Sequence, residues 1–322
     1  MKKSTGYYRS KKGTGFTYKN ERGKLIQAKA ILNWIKGLAV PPAWRDAWIS
    51  KDKHAYLLAT GFDVKKRKQY IYHPDWEIIR EERKLSRLKK LGSALPRIRR
   101  RIELDLNKKG LTHDRVLAAI VSLIDTTGIR IGHETYTEEN GSYGATTLRK
   151  KHVIGNRRKT VSFIGKSGVE REVIITDPSL VAIVSECEDT PGLELFKYFD
   201  EHGVKHSVSS DEVNEYIQAI SGQAITAKDF RTWFGSAAAL EKCFELGKCS
   251  LVCEKAHMKT IFLHVTKRLG NTPKIACDSY VHESVIEAHS KGALEKSHSK
   301  TKWKSPEEKL LLELLTEYEK EL

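Results

Sequence analysis

The side chains best suited to chemistry in this 322-residue chain are cations and one tyrosine, spread over four motif-like segments: "TGIRIGHETYTEENGSYGATTLRKKHV", "FIGKSG", "KDFRTWFG" and "LGNTPKIACDSYVH". Several familiar kinds of site lack their residues. There is no Gly-x-x-x-x-Gly-Lys-Ser/Thr loop, so ATP coupling of the P-loop kind is unsupported. His133-Glu134 and His282-Glu283 lack the second histidine of a His-Glu-x-x-His zinc site. Glu103-x-Asp105 is the nearest approach to the carboxylate cluster of two-metal phosphoryl transfer, and in a basic amphipathic helix it reads as solvated charge. Cys249, Cys253 and His257 sit four apart and could share a helix face, but no fourth ligand is near, so buried thiols are expected and no metal.

Charge narrows the partner. Lys+Arg number 57 and Asp+Glu 41, so the formal charge is 57 − 41 = +16. Such an excess favours a polyanion, because Lys and Arg that neutralise phosphates release condensed counterions. Residues 80–109 are strongly basic, whereas the segment from Glu307 to Leu322 is acidic. An odd count of five cysteines argues for thiols rather than a disulfide framework. No apolar run reaches the length of a membrane span and Met-Lys-Lys leads into no apolar stretch, which predicts a cytoplasmic protein with no membrane partner. A hydrophobic fraction of 39% over this length supports two domains with sizeable cores.

The elements that must position these residues follow from periodicity. In the first part, Phe16 and Tyr18 precede a polar turn at Gly23 with Leu25 and Ile26 beyond it, a hairpin pattern. A second hairpin turns at Asp63 to Lys66 and continues through Tyr70 and Tyr72, and Pro41-Pro42 marks the loop between them. Residues 1–77 are therefore expected to form a small antiparallel β-sheet domain. Leu85, Leu88 and Leu91, then Ile98, Ile102 and Leu106, predict two basic helices broken near Gly92 and Pro96. Thr112 is suited to cap a third helix that Gly128 ends. "ATTLRKKHV", "TVSFIG" and "VEREVIIT" predict three strands, the last two forming a hairpin with Lys166-Ser167-Gly168 at its tip. Ser209-x-x-Glu212 and Thr226-x-x-Asp229 fit capping boxes, and Leu311, Leu312, Leu314 and Leu315 predict a docked terminal helix. The fold class is α+β, with residues 78–322 forming a larger, mainly helical domain that holds one small three-stranded sheet.

The four segments, in their order along the chain, resemble the type IB DNA topoisomerases, specifically the small viral and bacterial branch. "LAVPPAWRDAWIS" and "GFDVKKRKQYIYHPDW" are similar to that family's DNA-clamping N-terminal domain, so the resemblance covers nearly the whole chain. It implies a catalytic pentad of Arg130, Lys166, Arg231, Asn271 and Tyr280. The family's viral and nuclear members have histidine at the position of Asn271, whereas bacterial members resemble this chain. Asparagine donates a hydrogen bond but does not titrate near neutral pH, so Asn271 is assigned to phosphate binding. Lys228, Asp229 and Thr232 flank Arg231 and are candidates to position it or bind DNA. Gln69, Tyr70 and Tyr72 are candidates to hold a DNA groove, the plain alternative being a half-buried strand with exposed aromatics.

In the chemistry the resemblance implies, Tyr280 attacks a DNA phosphodiester to make a 3′-phosphotyrosine, and the five-coordinate phosphorus gathers negative charge on its equatorial oxygens. Arg130 and Arg231 would stabilise that charge with forked, permanently protonated donors, and Asn271 would add a neutral one. Lys166 would protonate the leaving 5′ oxygen, which a lysine does at neutral pH where neighbouring cations and desolvation favour proton release. The phosphotyrosine conserves the broken bond's energy, so religation needs no nucleotide cofactor, and no metal is implied. The expected partner is double-stranded DNA, the expected form a monomer closing as a clamp, and the expected place the bacterial nucleoid. Tyrosine recombinases share the first arginine box and the tyrosine box, but Lys228-x-x-Arg231 stands where they have His-x-x-Arg. A basic architectural DNA-binding protein is the alternative without chemistry.

Overall fold

Short alternating segments of the first eighty residues build a five-stranded antiparallel sheet, ordered β2-β1-β3-β4-β5. Its strands are β1 (Gly6–Lys12), β2 (Gly15–Lys19), β3 (Arg45–Ser50), β4 (Leu57–Phe62) and β5 (Lys68–Tyr72). The computed structural model describes residues 5–156, 158–248, 254–294 and 305–321. The chain divides into two units, Met1–Lys84 and Leu85–Leu322.

In the first unit the 57–72 hairpin forms as its pattern predicts, Thr60 pairing with Tyr70. The earlier hairpin forms only as a short end, the amide of Ile26 donating to the Tyr18 carbonyl at 2.8 Å. β2 pairs along its length with β1, Ser10 opposite Thr17, and Lys19 meets Leu25 only in an isolated bridge. The reason is that Tyr7 and Tyr8 precede a tight turn at Gly13, which closes a shorter loop than the one through Gly23. The unit is also less purely β than its sequence implies, since α1 (Lys29–Gly37) buries Ile35 against Tyr7, Ile49 and Ala59. Arg9 ties down the Pro41-Pro42 loop by donating to the carbonyls of Val40, Pro41 and Trp44.

The two basic helices expected between residues 80 and 109 are one, α2 (Pro74–Leu106). Leu85, Leu88, Leu91, Leu95, Ile98, Ile102 and Leu106 form an unbroken buried stripe through both supposed breaks. Gly92 is there for space, because a Cβ on it would lie 2.6 Å from the Trp233 ring. Pro96 removes one backbone hydrogen bond, a cost the stripe outweighs through apolar burial.

The second unit is organised around α3 (His113–Thr127), buried from Arg115 to Asp125. After it come α4 (Glu134–Asn140), the strands β6 (Val153–Ile154), β7 (Lys159–Ile164) and β8 (Glu170–Ile175), and α5 (Pro178–Asp189). A two-stranded ribbon, β9 (Lys197–Phe199) and β10 (Lys205–Ser207), leads to α6 (Ser210–Ser221), α7 (Ala227–Leu246) and α8 (Glu254–Leu269). The chain ends with the single turn α9 (Pro273–Ile275), α10 (Glu283–Ser290) and α11 (Pro306–Glu321). The architecture is the expected α+β arrangement, with the small sheet ordered β6-β7-β8.

Three local expectations need correction. Residues 145–152 form two 3-10 turns rather than a strand, because the amides of Ala145 and Thr146 are committed to the loop that carries Arg130, that of Lys150 to the Leu193 carbonyl, and those of Thr147 and His152 to their own turns. Thr112 occupies the N-cap of α3 but its side chain makes no capping bond, although Gly128 ends that helix in the left-handed conformation (φ 62°). Asp105 is not solvated. It is buried and accepts from Arg101, Lys108 and the Tyr216 hydroxyl at 2.7–2.8 Å. The Ser209–Glu212 capping box is fully formed, each residue's side chain accepting from the other's amide.

Arg99 clamps the terminal helix. It makes two bonds to Asp125 of α3 at 2.9 Å and two to Glu308 of α11 at 2.6 Å, while Leu311 and Leu315 are fully buried. Burial works against the guanidinium's charge, but the two carboxylates outweigh it and hold the Arg99 pKa above its usual value. Cys187 and Cys243 are buried and Cys277 is exposed, whereas Cys249 and Cys253 lie outside the described residues. No group of three metal-ligating side chains occurs among the described residues, and no helix among them is long and apolar enough to cross a membrane.

Candidate active site

Two segments distant in sequence, the Arg130 loop and α7, converge on Tyr280, and two more carry, respectively, the tyrosine with Asn271 and Lys166. The first is the "TGIRIG" loop after α3. Its shape is fixed from outside, because the amide of Ala145 donates to the Arg130 carbonyl at 2.8 Å and the amide of Thr146 to the Ile131 carbonyl at 2.7 Å. So anchored, Arg130 directs Nη1 to the Tyr280 hydroxyl oxygen at 2.8 Å.

The second segment is α7. Arg231 lies in its second turn, and its neighbour Asp229 accepts from the amide and hydroxyl of Thr226 at 2.8 and 3.0 Å. That carboxylate is thereby used in starting the helix. Arg231 is 3% exposed, with Nη1 on the Gly128 carbonyl and Nη2 on the Leu269 carbonyl at 3.3 Å. Gly128 stands two residues before Arg130, and Leu269 two before Asn271. One guanidinium therefore holds the bases of two other site segments. One turn further along α7, a Cβ on Gly235 would lie 2.5 Å from the Tyr280 carbonyl, so glycine permits close approach. Ser236 donates to that same carbonyl at 3.4 Å.

The third segment carries the tyrosine. After α9, residues Ala276–Tyr280 form a π-helical turn, a wide turn often found where a side chain must be re-aimed. The Tyr280 ring is buried, with the Arg231 guanidinium 4.9 Å and that of Arg130 5.7 Å from its centroid. Burial alone would raise the phenol pKa. The charges and hydrogen bonds of Arg231 and Arg130 outweigh it and hold the phenol below its usual value. Just ahead of this turn, Asn271 is buried and neither end of its amide has a hydrogen-bond partner among the described residues. Nε of Arg231 is likewise unpartnered there. Buried polar groups in folded proteins are nearly always paired, so such a cluster marks a place for a polar ligand.

The fourth segment is the β7-β8 hairpin, which pairs in continuous register from Lys159 opposite Ile175 to Ile164 opposite Glu170. Lys166 stands exposed in its tip turn, with Nζ 5.6 Å from the centroid of the Tyr136 ring. Arg130 and Arg231 thus both meet Tyr280, Asn271 lies in the turn whose base Arg231 holds, and Lys166 faces Tyr136.

The remaining candidates are scattered. Lys228 is exposed, whereas Thr232 is buried with its hydroxyl on the Lys228 carbonyl at 3.4 Å. In the first unit, Tyr70 and Tyr72 stack with centroids 5.9 Å apart, and Tyr70 is 46% exposed. Gln69 donates to Asp63 at 3.0 Å, and with Arg67 it overcomes the effect of partial burial to hold that carboxyl at about 2.

One residue was not anticipated. Arg171, in β8, is 9% exposed, and burial followed by the charge of Arg130 lowers its pKa to about 10. Arg231 is lowered to about 10 for the same reasons in the same order. A signal existed: in "VEREVII" the alternation puts Arg171 on the face of Val173 and Ile175, and an arginine on a strand's apolar face asks for an explanation.

Comparison with known proteins gives the family. The model of the eukaryotic DNA topoisomerase I catalytic core matches residues 67–308, and that of the bacterial DNA topoisomerase IB N-terminal domain matches residues 15–63. DNA topoisomerase 1B of Acanthamoeba polyphaga mimivirus is 30% identical over 295 residues, spanning 88% of this chain and 87% of that protein. DNA topoisomerase 1B of vaccinia virus (strain Copenhagen) is 24% identical over 239 residues, 72% of each chain. DNA topoisomerase 1 of Schizosaccharomyces pombe is 24% identical over 243 residues, 72% of this chain but 29% of its own. With both units matched and the small viral enzyme aligned nearly end to end, this chain belongs to the type IB DNA topoisomerases of the small viral and bacterial branch and is a DNA isomerase.

Proposed function

We propose that this protein relaxes positive and negative supercoils by cutting one DNA strand, letting the free end rotate, and resealing it, as a monomer on nucleoid DNA. The Tyr280 oxygen attacks phosphorus as the phenol proton leaves to solvent. A bond forms from Tyr280 to the 3′ phosphate, and the bond to the 5′ oxygen breaks. Lys166 gives that oxygen its proton once DNA has drawn the hairpin tip to the scissile bond. Arg130 and Arg231 bind the non-bridging oxygens as charge accumulates on them, and Asn271 supplies a further donor. Resealing runs the same steps backward, drawing on the energy of the phosphotyrosine, so neither ATP nor a divalent ion is required.

The observation that carries this reading is the Tyr280 hydroxyl 2.8 Å from Arg130, against a ring flanked by two guanidiniums. Such a pocket favours an anion at the phenolic oxygen. The test is supercoiled plasmid with purified protein in excess EDTA and no ATP. Stepwise relaxation is expected, with a trapped adduct whose peptide contains Tyr280 joined to a 3′ phosphate. Supercoils left intact under conditions where the protein binds DNA, or a 5′ linkage, would overturn it. Exchange of strands between two sites would favour a recombinase.

A further inference from the structure

We infer that Arg171 is a positioning residue for Asn271: when the scissile phosphate is bound, its Nη1 takes the amide oxygen of Asn271 and so turns the amide nitrogen toward the phosphate. The inference rests on the proposed phosphoryl-transfer role of the site. An asparagine amide presents a donor at one end and an acceptor at the other. A phosphate is attracted by the nitrogen and repelled by the oxygen, so the amide is useful only when its oxygen faces a donor. Neither end of Asn271 is committed among the described residues.

Arg171 is the matching donor. Its Nη1 is buried without a partner among the described residues, and its one hydrogen bond there is a long one, 3.4 Å from Nη2 to the Thr127 carbonyl. The guanidinium lies against the residue just before Asn271. A Cβ at Gly270 would be 2.2 Å from Cδ of Arg171, 2.7 Å from Nη1 and 3.1 Å from Nε. Gly270 also sits at φ 60°, so the turn that presents Asn271 demands glycine twice, for its backbone and for the arginine beneath it. Arg171 further belongs to the hairpin that carries Lys166, while Thr127 adjoins the Arg130 loop. An uncompensated buried cation is a cost that packing alone does not justify.

The test is a double-mutant cycle on the full-length protein, read as the rate of adduct formation on plasmid DNA with enzyme in excess. Arg171→Met and Asn271→Ala should each slow cleavage by about 100- to 1,000-fold, the range for losing one preorganised donor. Arg171→Lys, which keeps the charge but not the fork, should fall between wild type and Arg171→Met. With Asn271→Ala present, Arg171→Met should add no more than about twofold, because residues acting through one interaction are not additive. A purely structural arginine would give fully multiplicative losses, and that result overturns the inference, as would an Arg171→Met variant cleaving at the wild-type rate. If Arg171→Met does not fold, the cycle is run with Arg171→Lys, and the same additivity decides. A wild-type protein that binds DNA but forms no adduct overturns the proposed function as well. An adduct with an additive cycle removes only the role of Arg171.

Discussion

Removing the positive charge of Arg171 should make the free protein more stable while making it a slower enzyme. Its pKa falls well below the usual arginine value, to about 10, because burial, then Arg130, disfavour the cation. That drop corresponds to about 3 kcal/mol against the charged form. Relaxation and water penetration reduce such penalties, and halving it leaves about 1.5 kcal/mol. Against this, Arg171→Met loses the 3.4 Å bond to Thr127, worth about 0.5 kcal/mol at that length. Methionine preserves most of the aliphatic stem packed against Gly270 and Gly165. The balance is about +1 kcal/mol, or roughly 2–4 °C in the melting temperature of a unit this size.

The assay is a calorimetric melt at pH 7 beside the wild type. The folded protein releases the Arg171 proton near pH 10 and the unfolded chain only at higher pH. The penalty is therefore complete below pH 10 and is relieved as pH rises through that window, so the advantage of the variant should shrink there. A melting temperature lowered by several degrees at pH 7 would instead make the guanidinium a structural element rather than a cost.

Other substitutions separate roles in the same way. Tyr280→Phe should keep DNA affinity, measured by filter binding, and form no covalent adduct on a denaturing gel; an adduct that persists relocates the nucleophile. Lys166→Ala should cleave ordinary DNA slowly and recover when sulfur replaces the scissile 5′ bridging oxygen, since a thiolate leaves without a proton. No recovery would take general-acid duty away from Lys166. Arg99→Ala leaves the carboxylates of Asp125 and Glu308 without this guanidinium and should cost about 3 kcal/mol in denaturant unfolding. A loss below about 1 kcal/mol would show that the terminal helix docks through its leucines alone.

Much of this site is legible in the sequence because its parts lie in short local patterns. The hairpin under Lys166 follows from strict alternation on both sides of Lys-Ser-Gly, and the start of α6 from a serine and a glutamate three apart. What escaped depends on partners far along the chain. Asp105 looks solvated until Tyr216 reaches it, and Gly92 looks like a break until Trp233 needs its space. Arg171 hides for a related reason. An arginine in a strand usually points to solvent, and only the burial of its face, closed by the Gly270 turn, says otherwise. Residues 145–152 have strand-like composition, yet the amides of Ala145 and Thr146 go to the Arg130 loop and that of Lys150 to Leu193, a choice that no local periodicity encodes.

The second unit contains two kinds of buried or half-buried arginine, and the difference lies in what holds them. Arg99 and Arg115 are met by carboxylates, Arg99 by Asp125 and Glu308, Arg115 by Glu186 at 2.5 and 2.7 Å. Their charge is cancelled where it stands, which suits a clamp between helices. Arg231 and Arg171 are met by main-chain carbonyls instead, those of Gly128, Leu269 and Thr127. A carbonyl orients a guanidinium without neutralising it, so these cations keep their attraction for an incoming anion. The carboxylate nearest Arg231 in sequence, Asp229, is turned away to Thr226, and Glu170 and Glu172, which flank Arg171, lie on the exposed face of β8. Among the described residues no acid pairs with Arg130, Arg171 or Arg231, and that selective omission around a single tyrosine is what the proposed phosphate-binding role rests on, since an ordinary ion-pair network would supply carboxylates there.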